Sequence, residues 1–285
     1  MIPAAFAYAR PTTVEEALQA IADGGEDVKV MAGGQSLIPV MRLRMAAPET
    51  VVDLVSVSEM RGVRDDGDAL VVGAMTTHHD VLVDPLIAEH APLLVQATET
   101  VADRQVRARG TFGGALAHAD PAGDLAAVAL ALDAEMVIAG SGGRRTVPAA
   151  DFFVDYLTTC LEEGELLVEV RIPKLRGEWG VRYEKFNRVA QAWSIVAVAA
   201  AVRRENGHIA EARIGLTNMG STPLRAQATE AALAGADASA AAIAAAAERA
   251  AEGTSPTSDL NAQADYREHL ARVLTRRAVS AAAGL

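Results

Sequence analysis

Asp27-Val28-Lys29-Val30-Met31-Ala32-Gly33-Gly34-Gln35-Ser36-Leu37 is the stretch that decides the fold. Its first five residues read as a β-strand, and the strand runs without a break into paired glycines and a hydroxyl. Glycine reaches backbone conformations that aim consecutive N–H groups at one point, and it has no Cβ to hold an anion away. The segment is therefore either a pyrophosphate cradle or a tight strand-to-helix turn; its glycines match neither a Walker A loop nor the full dinucleotide fingerprint. Upstream, Thr13 and Glu16 form a capping-box pair, and Val14, Ala17, Leu18 and Ile21 repeat at helical spacing until Gly24-Gly25. Downstream, Thr50–Leu54 reads as a strand that closes a small α+β lobe, residues 1–56.

A second unit, 57–176, follows. Ala69–Gly73 reads as a strand, Thr77–Glu89 and Pro92–Ala102 as helices, and Glu135–Ala139 with Arg145–Val147 as a hairpin around Gly140-Ser141-Gly142-Gly143. Between them, Gly110-Thr111-Phe112-Gly113-Gly114-Ala115 again combines glycines with a hydroxyl, and two such loops in one chain suit a dinucleotide. Asp120 is a natural N-cap and Pro121 a natural first residue for a helix running to Leu132. Asp124, in that helix's first turn, reads either as compensation of the helix dipole or as an acceptor for ribose or ribityl hydroxyls. After a strand at Glu165–Ile172 and a boundary at Lys174–Glu178, a third unit, 177–285, opens with strands at Val181–Phe186, Ile195–Val202 and His208–Leu216, the last two joined at Asn206-Gly207. From Leu224 the chain reads as helical, and Gln227–Glu252 holds 15 alanines in 26 residues, which favours helix through propensity.

The 285 residues carry 37 acidic against 26 basic side chains, a net charge of −11 that repels nucleic-acid phosphates. Cys160 is the single cysteine, so the chain has no internal disulfide, no four-thiolate iron–sulfur cluster and no cysteine-built zinc site. Cysteine usage points to the cytosol. Met1–Ala9 is apolar but short and lacks a basic leader, and Ser194–Val202 is far below the roughly 18 residues of a spanning helix, so neither a signal nor a transmembrane segment is expected. The adjacent His78 and His79 diverge on any regular element and read as surface or cap residues rather than metal ligands. Lys185, in Arg182-Tyr183-Glu184-Lys185-Phe186, reads as part of a solvated charge run on a strand, although its flanking aromatics, with Trp193 beyond, could also line a flat ring. No nucleophile elbow, metal cluster or catalytic acid–base pair stands out.

Taken together, Ala32-Gly33-Gly34-Gln35-Ser36-Leu37-Ile38-Pro39, Thr111-Phe112-Gly113-Gly114, Asp120-Pro121-Ala122-Gly123-Asp124 and Gly215-Leu216-Thr217-Asn218 resemble the FAD-binding medium subunits of molybdenum hydroxylases, the xanthine dehydrogenase family, and within it the aerobic carbon monoxide dehydrogenase branch. The resemblance runs from Met1-Ile2-Pro3 to Arg276-Arg277-Ala278-Val279. It implies an α+β chain: a two-subdomain FAD-binding region of the vanillyl-alcohol-oxidase type, then a C-terminal domain with a small antiparallel sheet and helices. By motif, Val30, Met31, Ala32, Gly33, Gly34, Gln35, Ser36 and Leu37, with Gly110, Thr111, Phe112, Gly113, Gly114 and Ala115, are expected to wrap the FAD pyrophosphate and adenosine side. Asp124, Leu167, Lys185 and Trp193 match further flavin-contacting positions.

The same resemblance implies partners: a large subunit with the molybdenum cofactor, a small subunit with two [2Fe–2S] clusters, a dimer of heterotrimers, and an external electron acceptor. It also implies a cytoplasmic complex able to lie at the inner face of the membrane. Aldehyde, purine or N-heterocycle dehydrogenation by the partner, or a self-sufficient FAD oxidoreductase, are the alternatives. Three departures stand out: Phe112 replaces the more usual isoleucine, Ala192 stands where many relatives have an acidic residue, and the cysteine-rich loop of benzoyl-CoA-type reductases is missing.

Overall fold

A computed structural model describes residues 2–285; Met1, where the resemblance begins, lies outside the described residues. The first lobe holds β1 (Ala7–Ala9), α1 (Val14–Asp23), β2 (Val28–Met31), α2 (Leu37–Arg42) and β3 (Thr50–Asp53), with a parallel sheet in the order β1-β3-β2. The Thr13 hydroxyl caps α1 by accepting the Glu16 N–H, as the sequence suggests. The return arm of the box falls one residue further out, because Glu16 Oε2 takes the Thr12 N–H at 2.7 Å. The opening apolar residues are not idle either: Ala7, Tyr8 and Ala9 pair with Thr50, Val51 and Val52.

The second lobe contains β4 (Val63–Asp66), β5 (Ala69–Gly73), α3 (His78–Val83), α4 (Pro85–His90), α5 (Pro92–Glu99), α6 (Arg104–Arg107), α7 (Phe112–His118) and α8 (Asp124–Ala131). It continues with β6 (Glu135–Gly140), β7 (Gly143–Pro148), α9 (Ala149–Phe152), β8 (Phe153–Asp155), β9 (Thr158–Thr159) and β10 (Leu166–Pro173). Five of these strands form an antiparallel sheet in the order β4-β5-β10-β6-β7. The expected helix over 77–89 is two helices, since Pro85 has no N–H to give and Asp84 caps the second through Leu86 and Ile87. Asp120 does not cap α8. Its Oδ1 accepts the Ala122 N–H at 2.9 Å and its carbonyl accepts the Gly123 N–H at 2.8 Å, a closed turn that delays the helix to Asp124.

The third unit is a four-stranded antiparallel sheet, β11 (Trp179–Phe186), β12 (Val196–Glu205), β13 (His208–Thr217) and β14 (Leu224–Arg225), followed by α10 (Gln227–Leu233), α11 (Ala240–Ala247) and α12 (Ala264–Ala282). Asn206 and Gly207 both take positive φ, +52° and +82°, as a tight hairpin between right-twisted strands requires. The tail is largely helical, as its propensity suggests, but not from its first residue and not without a break. Leu224-Arg225 pairs with Gly215 and Leu216 as a strand, and the alanine-rich stretch is two helices, interrupted at Gly235 (φ +76°) and restarted by the Ser239 cap. Propensity favoured helix everywhere; the left-handed glycine and the cap decide where it stops.

β12 is buried on both faces, and its alternation sorts the chain into two cores. Val196, Val198, Ala200 and Val202 face α12 and the third unit, whereas Ala197, Ala199 and Ala201 belong to the core shared by the first two lobes. Small residues on that second face let α8 lie against the sheet, and every residue of α8 is buried. The contact is closest at Gly215, where a Cβ would stand 2.1 Å from the Ala127 carbonyl oxygen. No helix among the described residues is long and apolar enough to cross a membrane. Gly215→Ala should push α8 off the sheet and destabilise the chain by about 1–3 kcal/mol through overpacking, read as a lower denaturation midpoint; an unchanged midpoint would refute the packing account.

Candidate functional site

The two glycine loops, some eighty residues apart in sequence, touch. A Cβ on Gly33 would lie 2.2 Å from the Arg109 carbonyl oxygen and 2.7 Å from the Gly110 Cα, and one on Gly114 would lie 3.0 Å from the Ala32 Cβ. Only bare backbone fits between Ala32–Gly34 and Arg109–Gly114. Gly34 turns the first loop through φ +73°, and Gln35 Nε2 donates to the Gly33 carbonyl at 3.1 Å. The N–H groups of Gly33, Gly34, Gln35 and Ser36 meet no acceptor among the described residues, which is what an anion cradle requires. Val30 and Met31 close β2 beneath the loop, and Leu37 opens α2 beyond it.

The second loop differs from expectation. The Phe112 and Gly113 N–H groups donate to Thr76 and Ala74, the Gly114 N–H donates to the Thr111 hydroxyl at 3.1 Å, and the Ala115 N–H goes to the Thr111 carbonyl. Apart from the Thr111 N–H, which meets no acceptor among the described residues, its donors hold the loop's own shape, so most free donors come from the first loop and close-approach space from the second. Phe112 is 1% exposed, its ring packed in the core while its N–H holds the Thr76 carbonyl.

Asp124 and Lys185 meet in a buried ion pair, Nζ to Oδ2 at 2.7 Å, with both side chains 5% exposed. The reading of Lys185 as a solvated charge is therefore overturned: β11 docks on α5, and Nζ also donates to the Thr100 carbonyl at 3.1 Å. Asp124 Oδ1 accepts the Tyr183 hydroxyl at 2.6 Å and the Ser194 hydroxyl at 2.7 Å. Its environment is a dedicated hydrogen-bond shell rather than simple dipole compensation. Burial and the Asp124 charge raise the Tyr183 phenol well above its ordinary range, so it stays a neutral donor. Tyr183 and Ser194 were missed as site residues. The alternation of β11 already puts Tyr183 on the face of Lys185, but nothing in the sequence marks Ser194.

Trp193 stands 55% exposed at the rim, its ring edge approaching Gly123, and the loop carrying it is tied to α6 by Gln191 donating to Asp103 at 3.1 Å. Leu167 is 5% exposed, its side chain packed in the core next to a bulge in β10. His78, expected at the surface, is buried against Gly110; its N–H donates to the Gly110 carbonyl and its Nδ1 has no partner. Burial brings its pKa down to about 4. Cys160 is half-buried. A separate cavity of about 720 Å³ opens near Gly25-Glu26 and the β6–β7 turn; no expected site residue lines it, and its Arg145 is already paired with Glu165. No His, Cys, Asp and Glu group suited to a metal occurs among the described residues.

Lys185→Met should leave a buried carboxylate unpaired and cost about 3–5 kcal/mol in urea unfolding at neutral pH, far more than the loss of a surface pair. His78 binds its proton more weakly folded than unfolded, so the stability it contributes is complete above about pH 6.5 and is lost as pH falls towards 4. Wild type should lose on the order of 3 kcal/mol more than His78→Gln across that window; parallel pH profiles would sink this assignment.

Comparison with known proteins agrees with this geometry. The family described as the FAD binding domain in molybdopterin dehydrogenase matches residues 4–175, and the CO dehydrogenase flavoprotein C-terminal domain matches residues 181–282. The chain is 40% identical to the carbon monoxide dehydrogenase medium chain of Hydrogenophaga pseudoflava over 99% of its own length and 98% of the relative's. The solved carbon monoxide dehydrogenase from the same organism superposes with a TM-score of 0.96 at 42% identity, covering 99% and 98% of the two chains. Quinoline 2-oxidoreductase from Pseudomonas putida 86 superposes with a TM-score of 0.95 at 37% identity, covering 100% and 99%. Glycine loops in contact, free donors on the first of them and full-length matches to both domains converge: the chain belongs to the FAD-binding medium subunits of the molybdenum hydroxylases.

Proposed function

We propose that this chain is the electron-transfer subunit of an aerobic carbon monoxide dehydrogenase, working inside a complex as the name "medium chain" of its relative says of that protein. The observation that carries the cofactor assignment is the bare-backbone contact of Gly33 with Arg109–Gly110, beside four N–H groups without acceptors. These groups would take the pyrophosphate, with Val30–Leu37 on one side and Gly110–Ala115 on the other. Lys185 uses two of its three N–H groups on Asp124 and Thr100, so one remains to donate to a ring or ribityl acceptor without breaking the pair. Asp124 likewise keeps one lone pair on Oδ2 for a hydroxyl. Trp193 would cover the ring from the rim, and Leu167 would support the flavin from within the core.

Bound FAD would supply the redox chemistry, relaying electrons from two [2Fe–2S] clusters on a small subunit, themselves fed by molybdenum on a large one, to an external acceptor. The chain's own residues bind, orient and exclude water; none needs to act on the substrate as acid, base or nucleophile. A heterohexameric dimer of heterotrimers in the cytoplasm, at most peripheral to the membrane, completes the proposal. The quinoline enzyme's match at 37% identity supports a second reading, in which the partner oxidises an N-heterocycle.

Isolated with its copurifying chains, the complex should contain flavin, iron and molybdenum and reduce a dye with carbon monoxide. Dye reduction with N-heterocycles alone would favour the second reading, and flavin on a lone chain reduced directly by an organic substrate would overturn both. Gly33→Ala should weaken FAD binding by at least about tenfold, since separating the loops loses one or more charge-assisted hydrogen bonds.

A further inference from the structure

Gly215-Leu216-Thr217-Asn218 carries a motif of the sequence to which neither the cradle nor the ion pair assigns a task. Asn218 ends β13 in the left-handed conformation, φ +63°, a turn that asparagine tolerates better than most side chains. From there it reaches two separate segments. Its backbone N–H donates to the Pro121 carbonyl at 2.8 Å, inside the turn that delivers Asp124. Its side-chain amide donates to the Ser194 carbonyl at 2.8 Å and to the Ile195 carbonyl at 3.3 Å, directly after Trp193. The same two segments are joined again by Ser194 N–H to the Ala122 carbonyl and by Ser194 Oγ to Asp124.

A second group closes the arrangement from behind. Arg267, on α12 and 1% exposed, donates from Nη1 to the Ile195 carbonyl, from Nε to the Thr257 carbonyl at 3.0 Å, and pairs through Nη2 with Asp259 at 2.8 Å. The Ile195 carbonyl therefore has two donors, and neither lies on the strand partner that Ile195 itself joins through Phe186. Loop 187–193 has a fixed base at Ser194-Ile195 and an exposed tip at Val189 and Trp193.

We propose that Asn218 is the positioning residue of the flavin-side site: its amide and its backbone N–H hold the Asp120–Asp124 turn and the Trp193 loop in one register, and Arg267 locks the shared carbonyl. The proposal rests on the reading that FAD lies beside Trp193. It gives Asn218 no contact with the ring. What the residue fixes is the distance between the rim at Trp193 and the ion pair at Asp124 and Lys185, which belong to different domains of the chain.

The test uses the full chain and two variants. Asn218→Gly keeps the left-handed backbone and removes the amide; Asn218→Asp keeps the shape and turns acceptors against two carbonyls. Three readings are taken: hydrogen exchange over 187–195 in the flavin-free chain, the near-ultraviolet circular dichroism of Trp193 in a Trp179→Phe background, and the Kd for FAD. Both variants should raise exchange over 187–195 by about tenfold or more while 198–202 in β12 stays unchanged, weaken the Trp193 band, and raise the Kd about tenfold. Unchanged exchange with an unchanged Trp193 band in either folded variant would overturn the proposal, as would an equal rise across 198–202, which marks loss of the whole fold. If Asn218→Gly does not fold, Asn218→Asp decides. Wild-type chain that fails to bind FAD would defeat the functional reading alone, because the exchange and Trp193 readings need no flavin.

Discussion

The carboxylate of Asp124 lies where the first residue of a fully buried helix meets the edge of the third unit's sheet, and most of the site is built around satisfying it. An unpaired charge there would be very costly, so Lys185, Tyr183 and Ser194 are all drawn to it, each from a segment more than fifty residues away in sequence. Such a pair need not add net stability over well-packed apolar groups. What it adds here is a register: the first residue of α8 is tied to β11 through Tyr183 and Lys185 and to the segment before β12 through Ser194.

That docking depends in turn on small side chains. β12 is buried on both faces, and alanines at 197, 199 and 201 leave room for a helix that Gly215 allows to approach closer than any side chain would. Larger residues would have packed the sheet against α8 at a greater distance and moved Asp124 away from Lys185. The mostly valine face of the same strand holds α12, whose Arg267 reaches through to the Ile195 carbonyl. One strand thus couples the packing of the third unit to the loop that carries Trp193.

Electron transfer asks little of a protein except that a cofactor be held at a fixed place with fixed neighbours. The two glycine loops divide that work. The first offers unpaired donors, and the second, with all its N–H groups but that of Thr111 committed within the fold, is a wall against which the first is pressed. His78 packs behind that wall, buried and neutral, which ties the wall's integrity to pH in the acidic range.

The α+β class, the glycine loops, the Asn206-Gly207 hairpin and most strands were legible in the sequence because each rests on local rules: period-two alternation, glycine in turns, a capping hydroxyl. Strand β1, the break in the alanine-rich tail and the late start of α8 were not, since a three-residue strand exists only through its partner and an Asx turn competes with a cap on equal local terms. Membership in the family was likewise fixed by the order and spacing of motifs along the chain. Only the tertiary structure decided which side chains share a site. Lys185 looked solvated and His78 superficial because burial is a property of what packs against a residue, and the partners of both arrive from distant parts of the chain.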